Sequence, residues 1–129
     1  MLPSFTYVRP TTLKAAVAAL AAPGARAHAG GTDLLGCLRD RVFPADTLVS
    51  LAGLPELAGV APTAEGGLRI GAMTTIAAVA AFPEIAARYR GLAEAAAAVA
   101  SPQLRNQGTL GGNLCQRPRC WYFRGAFHC

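Results

Sequence analysis

Apolar residues recur along this chain with two different periods, and the switches between them mark its elements. Leu13, Ala16, Val17 and Leu20 fall at i, i+3, i+4 and i+7, which is one face of a helix; Thr11 or Thr12 can cap it and Pro23-Gly24 ends it. Such a face needs a sheet to lie on. Short apolar stretches at Arg26 to Ala29 and Thr47 to Leu51 read as strands, and with a short helix from Asp33 to about Arg39 between them they form a βαβ unit. This first unit is expected to close near Ala52-Gly53. Beyond it, strands around Leu57 to Pro62 and Leu68 to Ala72 are joined by the turn Glu65-Gly66-Gly67. Helices are then expected from about Thr74 to Ala81, Pro83 to Tyr89 and Gly91 to Ala100. Thr74 or Thr75 caps the first, Pro83 suits a first turn, and Ser101-Pro102 stops the last. The fold class this order implies is α+β.

Composition narrows the class. Hydrophobic content of 53% excludes a disordered chain. Much of it is alanine, which buries little area per residue, so the core has to rest on Leu, Val, Ile and aromatic positions. No apolar run approaches the roughly 18 to 20 residues that span a bilayer, because the alanine stretch from Ala93 is broken by Glu94 and ended by Ser101-Pro102. The start MLPSFTYVRP lacks the basic and apolar regions of a secretion signal, so a cytoplasmic chain is the default and the four cysteines read as thiols or ligands, not disulfides. The net charge of +5 is spread along the sequence, with only Arg117, Arg119 and Arg124 clustered, which argues against a nucleic-acid partner.

The candidate chemistry lies in two Gly-Gly-polar turns about eighty residues apart, Ala29-Gly30-Gly31-Thr32-Asp33 and Thr109-Leu110-Gly111-Gly112-Asn113. Glycine permits positive φ and close main-chain approach, so successive N–H groups can form a concavity for anionic oxygens. A helix beginning at such a turn adds its unpaired N–H groups, and Thr32 or Asp33 is placed to cap one. Either turn alone is explained by turn chemistry; together they could close on one phosphate-rich ligand.

Ala29-Gly30-Gly31-Thr32-Asp33-Leu34-Leu35 taken with Asn106-Gln107-Gly108-Thr109-Leu110-Gly111-Gly112-Asn113-Leu114 resembles the flavin-binding (medium) subunit of the molybdenum hydroxylases, the xanthine dehydrogenase, carbon monoxide dehydrogenase and aldehyde oxidoreductase enzymes. Phe5-Thr6-Tyr7-Val8-Arg9-Pro10 and Leu68-Arg69-Ile70-Gly71-Ala72 match similar segments, so the resemblance covers essentially the whole chain. It implies the N-terminal part of a two-subdomain, PCMH-like FAD-binding domain of the molybdopterin dehydrogenase type. Residues 1–53 would be the first α/β subdomain, 54–114 the start of a second α+β subdomain, and 115–129 the start of a cysteine-containing loop. The cofactor residues implied are Ala29, Gly30, Gly31, Thr32, Asp33 and Leu34 in one loop and Thr109, Leu110, Gly111, Gly112 and Asn113 in the other, holding the FAD pyrophosphate mostly through main-chain amides. Asp33 would be repelled by that ligand unless its side chain turns away to cap its own helix.

The tail Gln116-Arg117-Pro118-Arg119-Cys120-Trp121-Tyr122-Phe123 is similar to the branch of these subunits with an inserted [4Fe-4S] loop. The resemblance makes Cys120 the first cluster ligand and Cys129 the second, with two more beyond residue 129 in a cluster that takes four thiolates. It implies an electron-transfer flavoprotein that passes electrons from iron–sulfur centres to FAD and an external acceptor. It also implies two partners, a large molybdopterin-binding subunit and a small [2Fe-2S] subunit, and no catalytic acid or base. Family subunits are much longer, so an N-terminal fragment, inactive alone, is the expectation. Other readings of the same residues remain open. Cys115, Cys120, His128 and Cys129 could hold zinc in a non-catalytic zinc- or nucleic-acid-binding module, or the chain could be an inert truncated product. Cys37 reads as a packed small hydrophobe and Cys115 as a core residue; His28 reads as a satisfied core histidine. Arg105, Asn106 and Gln107 could reach a flavin, and Trp121, Tyr122 and Phe123 could shield a cluster or meet a partner subunit.

Overall fold

The computed structural model describes residues 1–125. Its first half is a parallel three-stranded sheet. β1 (Thr6–Val8), β2 (Ala25–His28) and β3 (Thr47–Ser50) are ordered β1-β3-β2, with Tyr7 opposite Leu48 on one side and Arg26 opposite Leu48 on the other. Helix α1 (Leu13–Leu20) crosses from β1 to β2, and α2 (Leu34–Arg39) crosses from β2 to β3. The βαβ unit read from the sequence is therefore present, with β1 added to its far side.

Thr12 caps α1, its hydroxyl accepting from the Ala15 N–H at 3.2 Å. The buried face of α1 differs from the one the spacing suggests. Ala16 is 1% exposed and Ala19 and Leu20 pack beside it, whereas Val17 is 60% exposed and Leu13 46%. Small side chains let the helix lie close on the sheet, where Val49 and Leu54 complete the core. On the other sheet face Leu38, Ala45 and Leu48 form a second cluster under Phe5 and Phe43.

A 3-10 turn at Pro55–Leu57 occupies the start of the segment expected to be a strand. The strand proper, β4 (Val60–Pro62), begins only after Gly59, which has φ of 92°. The Leu57 carbonyl is turned away from any ladder and accepts from the Met73 N–H at 2.7 Å. β4 pairs antiparallel with β5 (Leu68–Ile70) across the expected turn, in which Gly66 has φ of 80°.

Helices α3 (Ile76–Ala81), α4 (Pro83–Arg88) and α5 (Arg90–Ala98) follow within a few residues of their expected bounds, α3 capped by Thr75 at 3.2 Å from the Ala78 N–H. Ile76, Val79, Ile85, Ala93 and Ala96 make their common core. Ser101-Pro102 was expected only to end α5. It also starts another helix, α6 (Pro102–Gln107), with Ser101 as the cap and proline in the first turn. A proline is tolerated there because the first-turn N–H has no intrahelical partner to lose. Two short helices, α7 (Leu110–Leu114) and α8 (Trp121–Arg124), complete the described chain. Among the described residues, no helix is long and apolar enough to cross a membrane.

The corrected α1 face makes a prediction. Leu54→Ala, at a position 2% exposed in the cluster that α1 covers, should cost about 2–5 kcal/mol in urea unfolding. Val17→Ala should stay within about 0.5 kcal/mol, as for a surface site; a large loss there would restore the face inferred from spacing.

Candidate functional site

The chain brings its two glycine turns into backbone contact. A β-carbon on Gly30 would overlap the carbonyl oxygen of Gln107 and would lie 2.8 Å from its carbonyl carbon. The Gln107 side-chain amide also donates to the Gly30 carbonyl at 3.3 Å. Gly31 has φ of 73°, a conformation that leaves glycine the natural occupant, and a β-carbon on it would lie 2.9 Å from His28 Nε2 and 3.0 Å from a Leu35 methyl. The second turn is held from behind. Leu110 and Gly111 donate their N–H groups to the carbonyls of Thr74 and Ala72, both at 2.8 Å, and a β-carbon on Gly111 would come within 2.8 Å of the Ala72 methyl. Thr109 caps α7, accepting from the Gly112 N–H at 3.1 Å.

Between the turns lies a cleft of about 370 Å³ lined by Ala29, Gly30, Gly31, Thr32, Asp33 and Leu34 from the first and Thr109, Gly111 and Gly112 from the second. A neighbouring hollow of about 400 Å³ shares Thr32, Asp33, Thr109 and Gly112 with it and adds Asn113. Leu110 lines neither. Its side chain packs on the core formed by α3, α4 and α5.

The two turns offer different chemistry. Among the described residues, no hydrogen bond engages the N–H groups of Gly30, Gly31, Thr32, Asp33 or Leu34, so five consecutive donors are open at the cleft. In the second turn every N–H from Leu110 to Asn113 is already donated within the protein. Phosphate-type oxygens can therefore be met by amides from the first turn, while the second supplies a wall whose glycines keep it close. Of the main-chain amides named from the sequence, those from Gly30 to Leu34 are thus unengaged among the described residues and those from Leu110 to Asn113 are engaged.

Asp33 does not cap α2 with its side chain. One carboxylate oxygen accepts from the Arg117 N–H at 3.0 Å and sits 3.9 Å from the Cys37 thiol; the other accepts from Arg124 Nη2 at 2.6 Å, with Arg119 Nη2 at 3.7 Å. A short polar side chain at this position has better partners in the incoming tail than in its own first turn. Burial alone would raise the Asp33 pKa, but the hydrogen bonds from the Arg117 main chain and from Arg124, with the positive charges of Arg124 and Arg119, hold it below the ordinary aspartate value. Arg124 closes the arrangement by donating to the carbonyls of Pro118 and Arg117 at 2.9 and 3.2 Å.

Several cleft residues carry no motif that would have marked them. The guanidiniums of Arg26 and Arg117 lie 5.5 and 5.9 Å from the Phe43 ring centroid, and all three line the cleft with Met73 and Gln116. Arg105 is engaged elsewhere, donating to the Val99 and Ala100 carbonyls. Cys115 is exposed and lines the cleft instead of sitting in the core, because α7 ends there and turns its last residues outward. Cys37 is buried as expected, its thiol pKa raised by burial and by the Asp33 charge. His28 is not satisfied: its Nδ1 is buried without a hydrogen-bond partner, its ring packs edge-on to Tyr7 at 5.7 Å, and burial lowers its pKa.

Cys120 is exposed at the start of α8, and Trp121 and Tyr122 beside it are 90% and 62% exposed. Cys129 and His128 lie outside the described residues. Among the described residues, no group of three or more Cys, His, Asp or Glu is arranged to hold a metal ion.

Comparison with known proteins agrees with this architecture. A family model described as the FAD binding domain in molybdopterin dehydrogenase matches residues 3–119. The aldehyde oxidoreductase FAD-binding subunit PaoB of Escherichia coli is 43% identical over 121 residues, covering 93% of this chain and 38% of that protein. The carbon monoxide dehydrogenase medium chain of Hydrogenophaga pseudoflava is 39% identical over 115 residues, 87% of this chain and 39% of the relative. Among solved structures, quinoline 2-oxidoreductase from Pseudomonas putida 86 superposes with a TM-score of 0.83 at 37% identity, and the Hydrogenophaga carbon monoxide dehydrogenase lacking its Mo-pyranopterin moiety with 0.82 at 36%; each comparison covers 88% of this chain and 40% of the other. This chain thus spans about two-fifths of the length of the relatives it matches.

Two outcomes are expected. Gly30→Ala should lower the thermal midpoint, with a loss of about 1–3 kcal/mol typical of an overpacked contact, whereas Gly91→Ala, where nothing lies within 4 Å, should not. Acid should release the tail. A depressed Asp33 pKa contributes stability that is complete above its unfolded value of 3.8 and is lost as pH falls through the lower folded value. Protection of the Arg117 amide against hydrogen exchange should therefore hold at pH 5 and above and collapse only below about pH 4.

Proposed function

Because the chain belongs to the family of FAD-binding domains of molybdopterin dehydrogenases, we propose that its cleft binds FAD and that it serves as the flavin-binding, electron-transfer part of a molybdenum-containing hydroxylase or dehydrogenase. The observation that carries this is the run of N–H groups from Gly30 to Leu34 that no hydrogen bond engages among the described residues, in residues that line a cleft shared with the second turn. Five donors in a concavity with no room for a β-carbon at Gly30 suit a pyrophosphate, whose oxygens accept several hydrogen bonds at once. When bound, FAD supplies the redox chemistry. The residues supply position: Gly30, Gly31 and Thr32 offer main-chain donors, and Ala29 and Leu34 flank them. Thr109, Gly111, Gly112 and Asn113 form the opposing wall, and Leu110 anchors that wall in the core. Arg26 and Arg117 add positive charge on the Phe43 side.

We retain the division into residues 1–53, 54–114 and 115–129, supported by separate hydrophobic clusters around the parallel sheet and around α3 to α5. The partners proposed are a large molybdopterin-binding subunit and a small iron–sulfur subunit, by analogy with enzymes whose medium chains resemble this one. Cys120 and Cys129 are proposed as thiolates of a [4Fe-4S] loop. The support is the tail's resemblance and the exposed position of Cys120; the described residues do not form a ligand set by themselves.

Equilibrium dialysis of the chain against FAD tests the central reading. Saturable one-to-one binding, competed by ADP and not by riboflavin, is expected if the pyrophosphate is what the first turn holds. Binding that riboflavin displaces as well as ADP does would move the principal contacts away from Gly30 to Leu34. Iron and acid-labile sulfide after anaerobic reconstitution of a longer chain that carries the two further thiolates, lost in Cys120→Ser, would support the cluster.

A further inference from the structure

An anion-binding turn is a poor place for a carboxylate. Asp33 sits inside the run of open donors and lines both hollows of the cleft, so unpaired it would place a negative charge beside any phosphate held there. The structure does not leave it unpaired. Residues 117–124 fold across it, and the Asp33 and Arg124 side chains are only 15% and 17% exposed where they meet. Arg119 stands at 3.7 Å, and the Arg117 main chain supplies a third contact while its guanidinium lies over Phe43 in the cleft wall. The other acid close to this group, Asp40, is engaged by Arg39 at 2.9 Å. Two guanidiniums and one main-chain N–H from the tail thus face the single carboxylate of the turn. The contacts of Asp33 with Arg117, Arg119 and Arg124 join positions more than eighty residues apart in sequence, so they form only when the tail is docked.

We propose that Asp33 is a positioning residue that makes tail docking and cofactor binding interdependent: residues 117–124, docked on Asp33, change the first glycine turn from anion-repelling to anion-attracting. The proposal rests on the reading of the cleft as an FAD pyrophosphate site. With the tail released, a ligand phosphate meets the bare carboxylate. With it docked, the carboxylate is neutralised and the surplus guanidinium charge of Arg117 and Arg119 borders the same hollows. Linkage requires the converse as well, so a bound pyrophosphate must hold the tail down by the same factor that the tail strengthens binding. The tail carries Cys120, and the same latch therefore fixes where that thiol lies relative to the flavin site.

A double-substitution cycle on the full chain tests this, with FAD affinity measured by calorimetry at fixed ionic strength and tail docking by hydrogen exchange at the Arg117 and Arg124 amides. Arg124 does not line the cleft, so Arg124→Gln reports on the latch alone. It should weaken FAD binding about five- to tenfold with Asp33 present and less than about twofold in the Asp33→Asn background, where no charge remains to be neutralised. FAD should also slow exchange of both amides in the unsubstituted chain. A merely structural role for Asp33 predicts the opposite, with the double variant binding no better than Arg124→Gln. Equal cost of Arg124→Gln in both backgrounds, or exchange unaffected by FAD, overturns the linkage while leaving the cleft reading intact. If the unsubstituted chain binds neither FAD nor inorganic pyrophosphate, the cleft reading and the linkage fall together. Should Arg124→Gln unfold the chain, Arg119→Gln, at a side chain 61% exposed that borders the second hollow, enters the same cycle and is scored only on how much more it costs with Asp33 present than in the Asp33→Asn background.

Discussion

The close packing of Gly30 against the Gln107 carbonyl joins the two halves of this molecule at the cleft. The parallel sheet with α1 and α2 has its own hydrophobic clusters, and α3 to α5 with the β4–β5 hairpin have another. At this contact a backbone turn from one half lies directly on a backbone turn from the other. Such proximity is available only where one partner has no side chain, and the bond from the Gln107 side-chain amide to the Gly30 carbonyl registers the two turns against each other. The cleft is the space left beside that contact.

Charge at the cleft follows from the same packing. Once the turns are in register, Asp33 is held at the cleft edge and cannot withdraw into its own helix, since α2 begins with its side chain directed at the tail. A carboxylate so confined needs cations and donors, and the tail brings the Arg119 and Arg124 guanidiniums and the Arg117 main-chain N–H. The Cys37 thiol beneath, kept protonated by burial and by the Asp33 charge, remains a weak donor and adds no negative charge of its own. The clustering of these arginines at the end of an otherwise evenly charged sequence thus has a local partner, and a nucleic-acid surface is not needed to explain it.

Much of this fold could be read from the sequence because local chemistry and tertiary structure agree. The Thr12, Thr75 and Ser101 hydroxyls sit at helix starts, Gly66 sits in the hairpin, and the β2-α2-β3 unit has the strand and helix lengths its pattern implies. Failures occurred where spacing has two solutions. On α1 both the Leu13–Val17 stripe and the Ala16–Ala19–Leu20 stripe obey helical periodicity, and hydrophobicity favours the first. Proximity to the sheet selects the second, because alanine permits an approach that valine does not. Ser101-Pro102 is equally ambiguous, as a proline that ends one helix is also a good first residue for the next. Asp33, Cys115 and the Arg26–Phe43–Arg117 stack were illegible for a different reason. Their surroundings are assembled from segments far apart in the chain, and nothing in the local sequence specifies which segment arrives.

The two glycine turns look alike as sequence and differ as structure, and the difference lies in what stands behind them. Behind Gly111 are the carbonyls of Ala72 and Thr74, left over where the chain leaves β5 and enters α3; they take the Gly111 and Leu110 N–H groups, and Thr109 takes that of Gly112. Behind Gly30 to Leu34, among the described residues, no such row of acceptors takes the N–H groups, and the β2 pairing ends at His28. One turn is thereby satisfied internally and serves as a wall; the other keeps its donors. Glycine is required in both, in the second because a β-carbon on Gly111 would lie 2.8 Å from the Ala72 methyl, in the first to let the loops touch and to let Gly31 adopt its left-handed φ. A motif that specifies backbone shape therefore does not specify hydrogen bonding. That is decided by the neighbouring strand ends, and they leave the open donors on one side of the cleft.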